Sequence, residues 1–340
     1  MPERIPLEPP IILPLNEGIN RPLWSVMIPV YNCSEFIPDA ILSVLNQDPG
    51  EEFLQIEVVD DASTDMDIEA MVLQLGNGRV TYFRQNQNVG SLRNFETCIN
   101  RAKGHYIHLL HGDDRIKPGF YKEIENLFEM FPQAGAAFSN WDFINADGTL
   151  IKQETRRADS PCIIENCLQR LSHGQLMQYV CMVVKRTVYE DLGAFYGVIY
   201  GEDWEMWARI ASKYPIAYTP LSLAEYRTHY NSISGHSFLS GRNISDLKKV
   251  FISIGNLLPV EERKKANLTV RKNYAFWAIE AARFMWLRTK KKSVVYIQVY
   301  ELLKLYPDIR LLMRSFNMIF WIWKIDLLQK ARKLKKTISH

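Results

Sequence analysis

At 340 residues, 47% hydrophobic and 23% charged, the chain has ample apolar material for a large domain with an appendage. A net charge of +3 is too small to point to nucleic acid. Five cysteines, odd in number and without a Cys-x-x-Cys spacing, argue against a disulfide framework or a zinc site and fit a reducing cytoplasm. No run reaches the ~18 apolar residues that span a bilayer. The start lacks a basic-then-apolar leader, so the chain reads as soluble or at most peripheral.

Residues 1–22 are Pro-rich and read as an extended arm lying on the surface. Trp24 to Val30 predicts a buried strand, closed by a Tyr31-Asn32 turn. Ser34 then caps a helix whose apolar positions run from Phe36 to Leu45. Leu54–Val59 is a second strand and Ile68–Leu75 a second helix. Val80–Phe83 is a third strand and Leu92–Ile99 a third helix. The fourth strand, Tyr106 to Leu110, stops at Gly112-Asp113-Asp114. Four strand–helix alternations with short connections predict a doubly wound α/β sheet.

Beyond Asp114 the pattern predicts a helix over 120–131, a strand over 134–143 and a hairpin turn at Asp147-Gly148. A helix over 165–171, a strand over 180–184, a helix after Glu202 and short strands at 216–218 and 223–226 follow. From about Asp246 onward everything reads as helix. The resulting domains are an arm (1–22), an α/β domain (23–240) and a basic, aromatic helical extension (241–340).

Open parallel sheets bind ligands beyond the carboxyl ends of their strands. Here those ends offer Pro29 and Tyr31, then Asp60 and Asp61, then Asn88 with Arg93, then Asp113 and Asp114. An aromatic ring stacks a base, a carboxylate accepts from base or ribose, and arginine balances phosphate charge. Adjacent carboxylates repel unless something neutralises them, and a divalent cation bridging a diphosphate does so. No Gly-x-x-x-x-Gly-Lys-Ser/Thr loop and no Gly-x-Gly-x-x-Gly follows the first strand, which argues against P-loop phosphoryl transfer and dinucleotide redox chemistry.

Six blocks in order, IPVYN (28–32), VVDDASTD (58–65), NQNVGSLRN (86–94), HLLHGDD (108–114), GEDWEMW (201–207) and YRTH (226–229), resemble a family 2 glycosyltransferase of the GT-A fold. The resemblance covers roughly residues 23 to 235. It implies a nucleotide-sugar-binding, Rossmann-like mixed sheet flanked by helices. It also implies inverting transfer from a nucleotide-diphosphate sugar, most often a UDP-sugar, with Mn²⁺ or Mg²⁺. Pro29, Tyr31, Asp60 and Asp61 would line the nucleoside pocket, with Asp61 at the base and Arg93 near the diphosphate. Asp113 would ligate the metal. His111 stands where the family's Asp-x-Asp motif has its first aspartate; imidazole is a poorer hard-cation ligand than carboxylate but suits Mn²⁺ better than Mg²⁺, and the alternative is that His111 contacts ribose or phosphate. His229 would complete the metal shell. Asp203 would be the base that deprotonates the acceptor, with Glu202 beside it.

Each residue also has a plain structural reading. Tyr31 fits a turn, Asp60-Asp61 with Ser63 a helix cap, Glu202-Asp203 the favourable charge at a helix start, and Arg227 with His229 a surface pair. Six coincidences in the right order would be needed for all to hold. His105, His108, His173 and His236 read as structural, and the cysteines as core.

The aromatic, lysine-flanked helices of the tail fit an anionic membrane surface, or equally a subdomain packing on the catalytic domain or on a second copy. The expected acceptor is a glycan or a lipid-linked acceptor in bacterial surface polysaccharide or glycolipid assembly, and peripheral membrane binding makes sense if it is lipid-linked. A homo-oligomer is open and nucleic acid is not expected. The rivals are a nucleotidyltransferase, which should show a Gly-rich basic loop after the first strand, and a binding scaffold with a decayed site.

Overall fold

A computed structural model describes the chain except residues 1–2, 17, 19, 230–231 and 339–340, and the side chains of 326 and 329–338. The chain forms two compact units, one of residues 1–171 and 175–229, the other of 172–174 and 230–340. The boundary suggested at residue 240 lies one helix beyond this division.

In the first unit, β1 (Trp24–Val30), α1 (Ile37–Leu45), β2 (Leu54–Asp60), α2 (Ile68–Gly76), β3 (Thr81–Arg84), α3 (Ser91–Arg101) and β4 (Tyr106–Leu109) follow the expected alternation. All seven residues of β1 are buried, as befits a strand covered on both faces. It pairs in parallel with β2 and with β4, and β2 pairs in parallel with β3.

The short strand β5 (Arg115–Ile116) leads into α4 (Phe120–Met130), β6 (Ala136–Ile144), β7 (Leu150–Gln153), β8 (Cys162–Ile163) and α5 (Cys167–Leu171). A 3-10 turn at Tyr179–Cys181 then opens β9 (Met182–Lys185), followed by α6 (Arg186–Leu192), α7 (Glu202–Ala211) and β10 (Ile216–Arg227). The sheet order is β3-β2-β1-β4-β9-β6-β10-β5, with β7 beside β6 and β8 beside β10. β9 runs antiparallel to both β4 and β6, so the sheet is mixed and the run of four parallel strands ends there.

Several details differ from the periodicity. The two strands expected around Pro220 are one, β10, which keeps its pairing to β6 through two register shifts. A shift is how a strand carries a proline, which has no N–H to donate. The N-terminal arm is not loose on the surface. Ile12 is 1% exposed, and the N–H groups of Gly197 and Ala194 donate to the carbonyls of Pro6 and Pro10, both at 2.9 Å.

The second unit is helical: α8 (Ile233–Ser240), α9 (Arg242–Leu257), α10 (Val260–Thr289), α11 (Lys292–Leu305) and α12 (Ile309–Ile338). Its core holds a buried amide pair. The Gln298 amide donates to Asn243 Oδ1 at 2.9 Å and to the Phe238 carbonyl at 2.7 Å, and Asn243 donates to the Tyr274 hydroxyl at 2.8 Å. Satisfied buried polar groups of this kind fix one helix register. Among the described residues no helix is long and apolar enough to cross a membrane.

Candidate active site

The carboxyl ends of β1, β2 and β4 bring the expected residues to one edge of the sheet. Pro29 is buried in β1, and the Tyr31 ring just beyond it is 49% exposed, open to stack on a ligand. Asp60 is fully buried and held by protein groups. Its Oδ1 accepts the Ser63 N–H at 2.8 Å, and its Oδ2 accepts the Tyr82 hydroxyl at 2.7 Å and the Arg84 guanidinium. Asp61 accepts the N–H groups of Val89 (2.6 Å) and Gly90 (2.9 Å) and the Asn88 side-chain amide (2.9 Å). Burial raises the Asp61 pKa, opposed by these N–H groups and by the charge of Arg4. A carboxylate accepts about four hydrogen bonds, so Asp61 Oδ1 keeps one acceptor position. Arg93 donates to the Glu3 carbonyl at 2.9 Å and to Glu96 at 2.7 Å.

The turn after β4 is built differently. Gly112 packs so closely that a Cβ would lie 2.6 Å from Val30 Cγ1 and 3.1 Å from Cys33 Sγ. This draws His111, Asp113 and Asp114 together, each with a ligand atom within 4.8 Å of the others. His229 Nε2 lies 2.8 Å from Asp113 Oδ2. Arg227, 2% exposed, fixes the turn: its N–H donates to Asp114 Oδ1 and its Nε to the Asp113 carbonyl, both at 2.8 Å. The plain reading of Arg227 and His229 as a surface pair does not hold: Arg227 is a buried clamp and His229 is partly buried.

The charges in this turn are unbalanced. Burial raises the Asp113 pKa, but the His229 hydrogen bond and the two imidazoles outweigh it and hold the carboxyl below its usual range. Burial and the neighbouring Asp113 push Asp114 well above that range, and burial pushes His111 down. His111 Nε2 and Asp114 Oδ2 are buried without a hydrogen-bond partner among the described residues. Orphaned buried acceptors cost about 1–3 kcal/mol each, and a cation would satisfy both at once. A neutral imidazole and two carboxylates suit Mn²⁺ better than Mg²⁺, so the donor set fits a divalent metal.

Glu202 and Asp203 open α7. Asp203 is 8% exposed; its Oδ1 accepts the Trp204 N–H at 2.7 Å and its Oδ2 the Gln175 amide at 2.5 Å. Burial raises its pKa to about 6 against those two hydrogen bonds. Tyr179 connects this block to the metal-type cluster. Its ring stands 4.3 Å from the His111 ring, and its hydroxyl donates to Glu202 Oε1 at 3.5 Å, the long end of hydrogen-bond range.

The glycosyl transferase family 2 model matches residues 25–193, which contain every strand end described above except that of β10. The chain belongs to glycosyltransferase family 2. An uncharacterised protein of Mycobacterium tuberculosis is 29% identical over 267 residues, 73% of this chain and 81% of that one. A Bacillus subtilis protein assigned to teichuronic acid biosynthesis as the glycosyltransferase TuaG is 28% identical, over 65% of this chain and 85% of its own. Staphylococcus aureus TarS residues 1–349, crystallised with UDP-GlcNAc, shares the GT-A fold. The TM-score is 0.59 at 12% identity, covering 87% of this chain and 88% of that one.

Within this family 2 glycosyltransferase, sequence reasoning missed Tyr179, Gln175 and Arg4. None sits in a motif block, and each reaches the site only through folding. His108, read as structural, is a core imidazole between Phe120 and the Val180 carbonyl, its pKa pushed down to about 3 by burial. All five cysteines are free; Cys98, Cys167 and Cys181 are buried and Cys33 and Cys162 partly so.

Proposed function

We propose that this glycosyltransferase transfers one sugar, with inversion, from a UDP-sugar to a glycan or lipid-linked acceptor in bacterial cell-surface polysaccharide or glycolipid assembly. The observation that carries the reading is the Tyr179 bridge, which joins the His111–Asp113–Asp114 cluster to Glu202 and the buried base candidate Asp203. A donor-holding group and a proton acceptor thus share one site, as direct displacement requires.

His111, Asp113, Asp114 and His229 are the residues that would hold a divalent cation, Mn²⁺ or Mg²⁺. When bound, the ion neutralises charge on the departing diphosphate. The chain's own residues do the rest. Tyr31 and Asp61 bind the nucleoside, with Asp60 and Asn88 holding that pocket in shape. Asp203 Oδ takes the proton of the acceptor hydroxyl. The freed oxygen bonds to the anomeric carbon as the bond from that carbon to the diphosphate oxygen breaks on the opposite face. The products are an inverted glycoside and the nucleoside diphosphate. A pKa of about 6 keeps Asp203 ionised near neutral pH yet more basic than an ordinary aspartate. Glu202 neighbours the acceptor.

The membrane side of the reading rests on α12. Ile309, Met313, Phe316, Phe320, Trp323 and Leu327 form one exposed row, with Phe316 and Phe320 68% and 64% exposed. Residues 309–325 include Arg310, Arg314 and Lys324 and no acidic residue. An aromatic, cationic row of this kind suits an anionic lipid surface at the inner face of the membrane, where a lipid-linked acceptor would lie. Lys330, Arg332, Lys333, Lys335 and Lys336 lie outside the described side chains.

Thermal stabilisation by nucleotides tests the donor half, because a native-state ligand raises the melting temperature by mass action. UDP or a UDP-sugar should raise Tm with Mn²⁺ and fail to do so with chelator. No shift with any nucleoside diphosphate in the presence of Mn²⁺ would remove the reading.

A further inference from the structure

Arg93, which the family resemblance implies lies near the diphosphate, donates to the Glu3 carbonyl of the N-terminal arm and to Glu96. The cation whose charge acts on Asp61 is Arg4, from the N-terminal arm. The arm that carries it is fixed at three points beyond Arg4: Gly197 N–H to the Pro6 carbonyl, Ala194 N–H to the Pro10 carbonyl, and Arg186 Nη2 to the Leu13 carbonyl at 3.1 Å. Gly193, at φ +76°, lets the arm approach; a Cβ there would sit 2.7 Å from the Pro10 oxygen.

Held in this way, the Arg4 guanidinium donates to Asn88 Oδ1 and, at 3.4 Å, to the Asn88 carbonyl. It passes over Gly90, where a Cβ would stand 3.3 Å from Arg4 Nε. Asn88 in turn donates to Asp61 Oδ2. Arg4, Asn88 and Asp61 are therefore one connected group just beyond the carboxyl end of β2, with Asp61 2% exposed at its inner end and Arg4 on its exposed side. Fixing an exposed arginine there by three arm contacts is a more elaborate arrangement than solubility needs.

We infer that the N-terminal arm is an integral part of the donor site and that Arg4 is a base-contacting residue that selects uracil. This rests on the proposed donor reading of the strand ends. Along its pairing edge uracil presents carbonyl, N–H, carbonyl. The remaining acceptor position of Asp61 takes the N–H, and the Arg4 guanidinium donates to the 4-carbonyl, where cytosine carries an amino group. Cytosine presents an unprotonated ring nitrogen to Asp61 and an amino group beside it, so acceptor would face acceptor.

Binding of UDP, UMP and CDP to the full-length chain with Mn²⁺, measured by calorimetry for wild type and for Arg4→Ala, tests this. Arg4 is exposed, so the variant should fold, with an unliganded Tm close to wild type. The expected result is a loss of about 10-fold in affinity for both UDP and UMP, with CDP changed less than about twofold. The preference for uracil over cytosine then narrows. Unchanged UDP affinity overturns the inference. Equal losses for UDP and CDP reduce Arg4 to a latch for the arm, and a loss for UDP without one for UMP makes it a phosphate contact; both outcomes also overturn it. A wild-type chain that binds no nucleoside diphosphate removes the donor reading itself, a result separable from every outcome for Arg4→Ala.

Discussion

Asp60-Asp61 and Asp113-Asp114 are the same dipeptide, placed beyond strands that flank β1 on its two sides. Their surroundings are opposite. Ser63, Tyr82 and Arg84 satisfy Asp60, and two backbone N–H groups with Asn88 satisfy three of the positions on Asp61. At the second pair, Asp114 Oδ2 has no partner among the described residues, and the two carboxyls move apart in pKa. A carboxylate pair supplied with donors from its own chain holds a loop in shape. One with a buried oxygen left without a donor has room for an external cation.

The largest effect should come from the second pair and its partner block. Asp113→Asn and Asp203→Asn should each cut turnover by about 10³-fold with the fold intact by circular dichroism. Turnover within threefold of wild type in both variants would end the proposed mechanism.

The first pair should show up in stability. Asp60→Ala strands the Ser63 N–H and the Tyr82 hydroxyl and unpairs Arg84, and should cost about 2–4 kcal/mol in urea unfolding. Asp114→Asn keeps the acceptor for the Arg227 N–H and removes an unfavourable buried charge. Its stability at pH 7.5 should change by less than about 1 kcal/mol, or rise. Equal destabilisation by the two substitutions would erase the distinction between the pairs.

Asp203 sharpens the contrast through pH. With a folded pKa of about 6, kcat/KM should fall about tenfold per unit below pH 6 and level off above it. A profile flat down to pH 5 would rule Asp203 out as the base. The same shift predicts stability. The folded carboxyl holds its proton more tightly than the unfolded one. Its stabilising contribution is therefore complete below the ordinary aspartate value of 3.8 and lost as pH rises through about 6. Relative to wild type, Asp203→Asn should gain up to about 3 kcal/mol at pH 7.5 and little at pH 4, measured by denaturant melts. The smallest effect expected is at Arg93. Arg93→Ala should weaken UDP less than Arg4→Ala does, because its guanidinium holds the arm and Glu96.

Much of the fold was legible because strand and helix announce themselves locally. The buried run of β1, the glycine that ends β4 and the helical spacing of α3 each depend on residues within one element. The motif blocks around Asp61, Asp113 and Asp203 were legible for the same reason. β5 and β8, two residues each, carry too little pattern to read, and α8 has no marked apolar face in its sequence.

The sequence by itself determined the alternating α/β half, the helical tail and which residue types stand at each strand end. Only the tertiary structure decided how they are used. It set β9 antiparallel between β4 and β6, brought His229 onto Asp113 from 116 residues away, and laid the N-terminal arm across so that Arg93 meets the Glu3 carbonyl and Arg4 meets Asn88. The physical reason is range. Periodicity and turn chemistry act over a few residues and can be read along the chain. The partner of a buried carboxylate is chosen by packing between distant segments, and no local pattern records it.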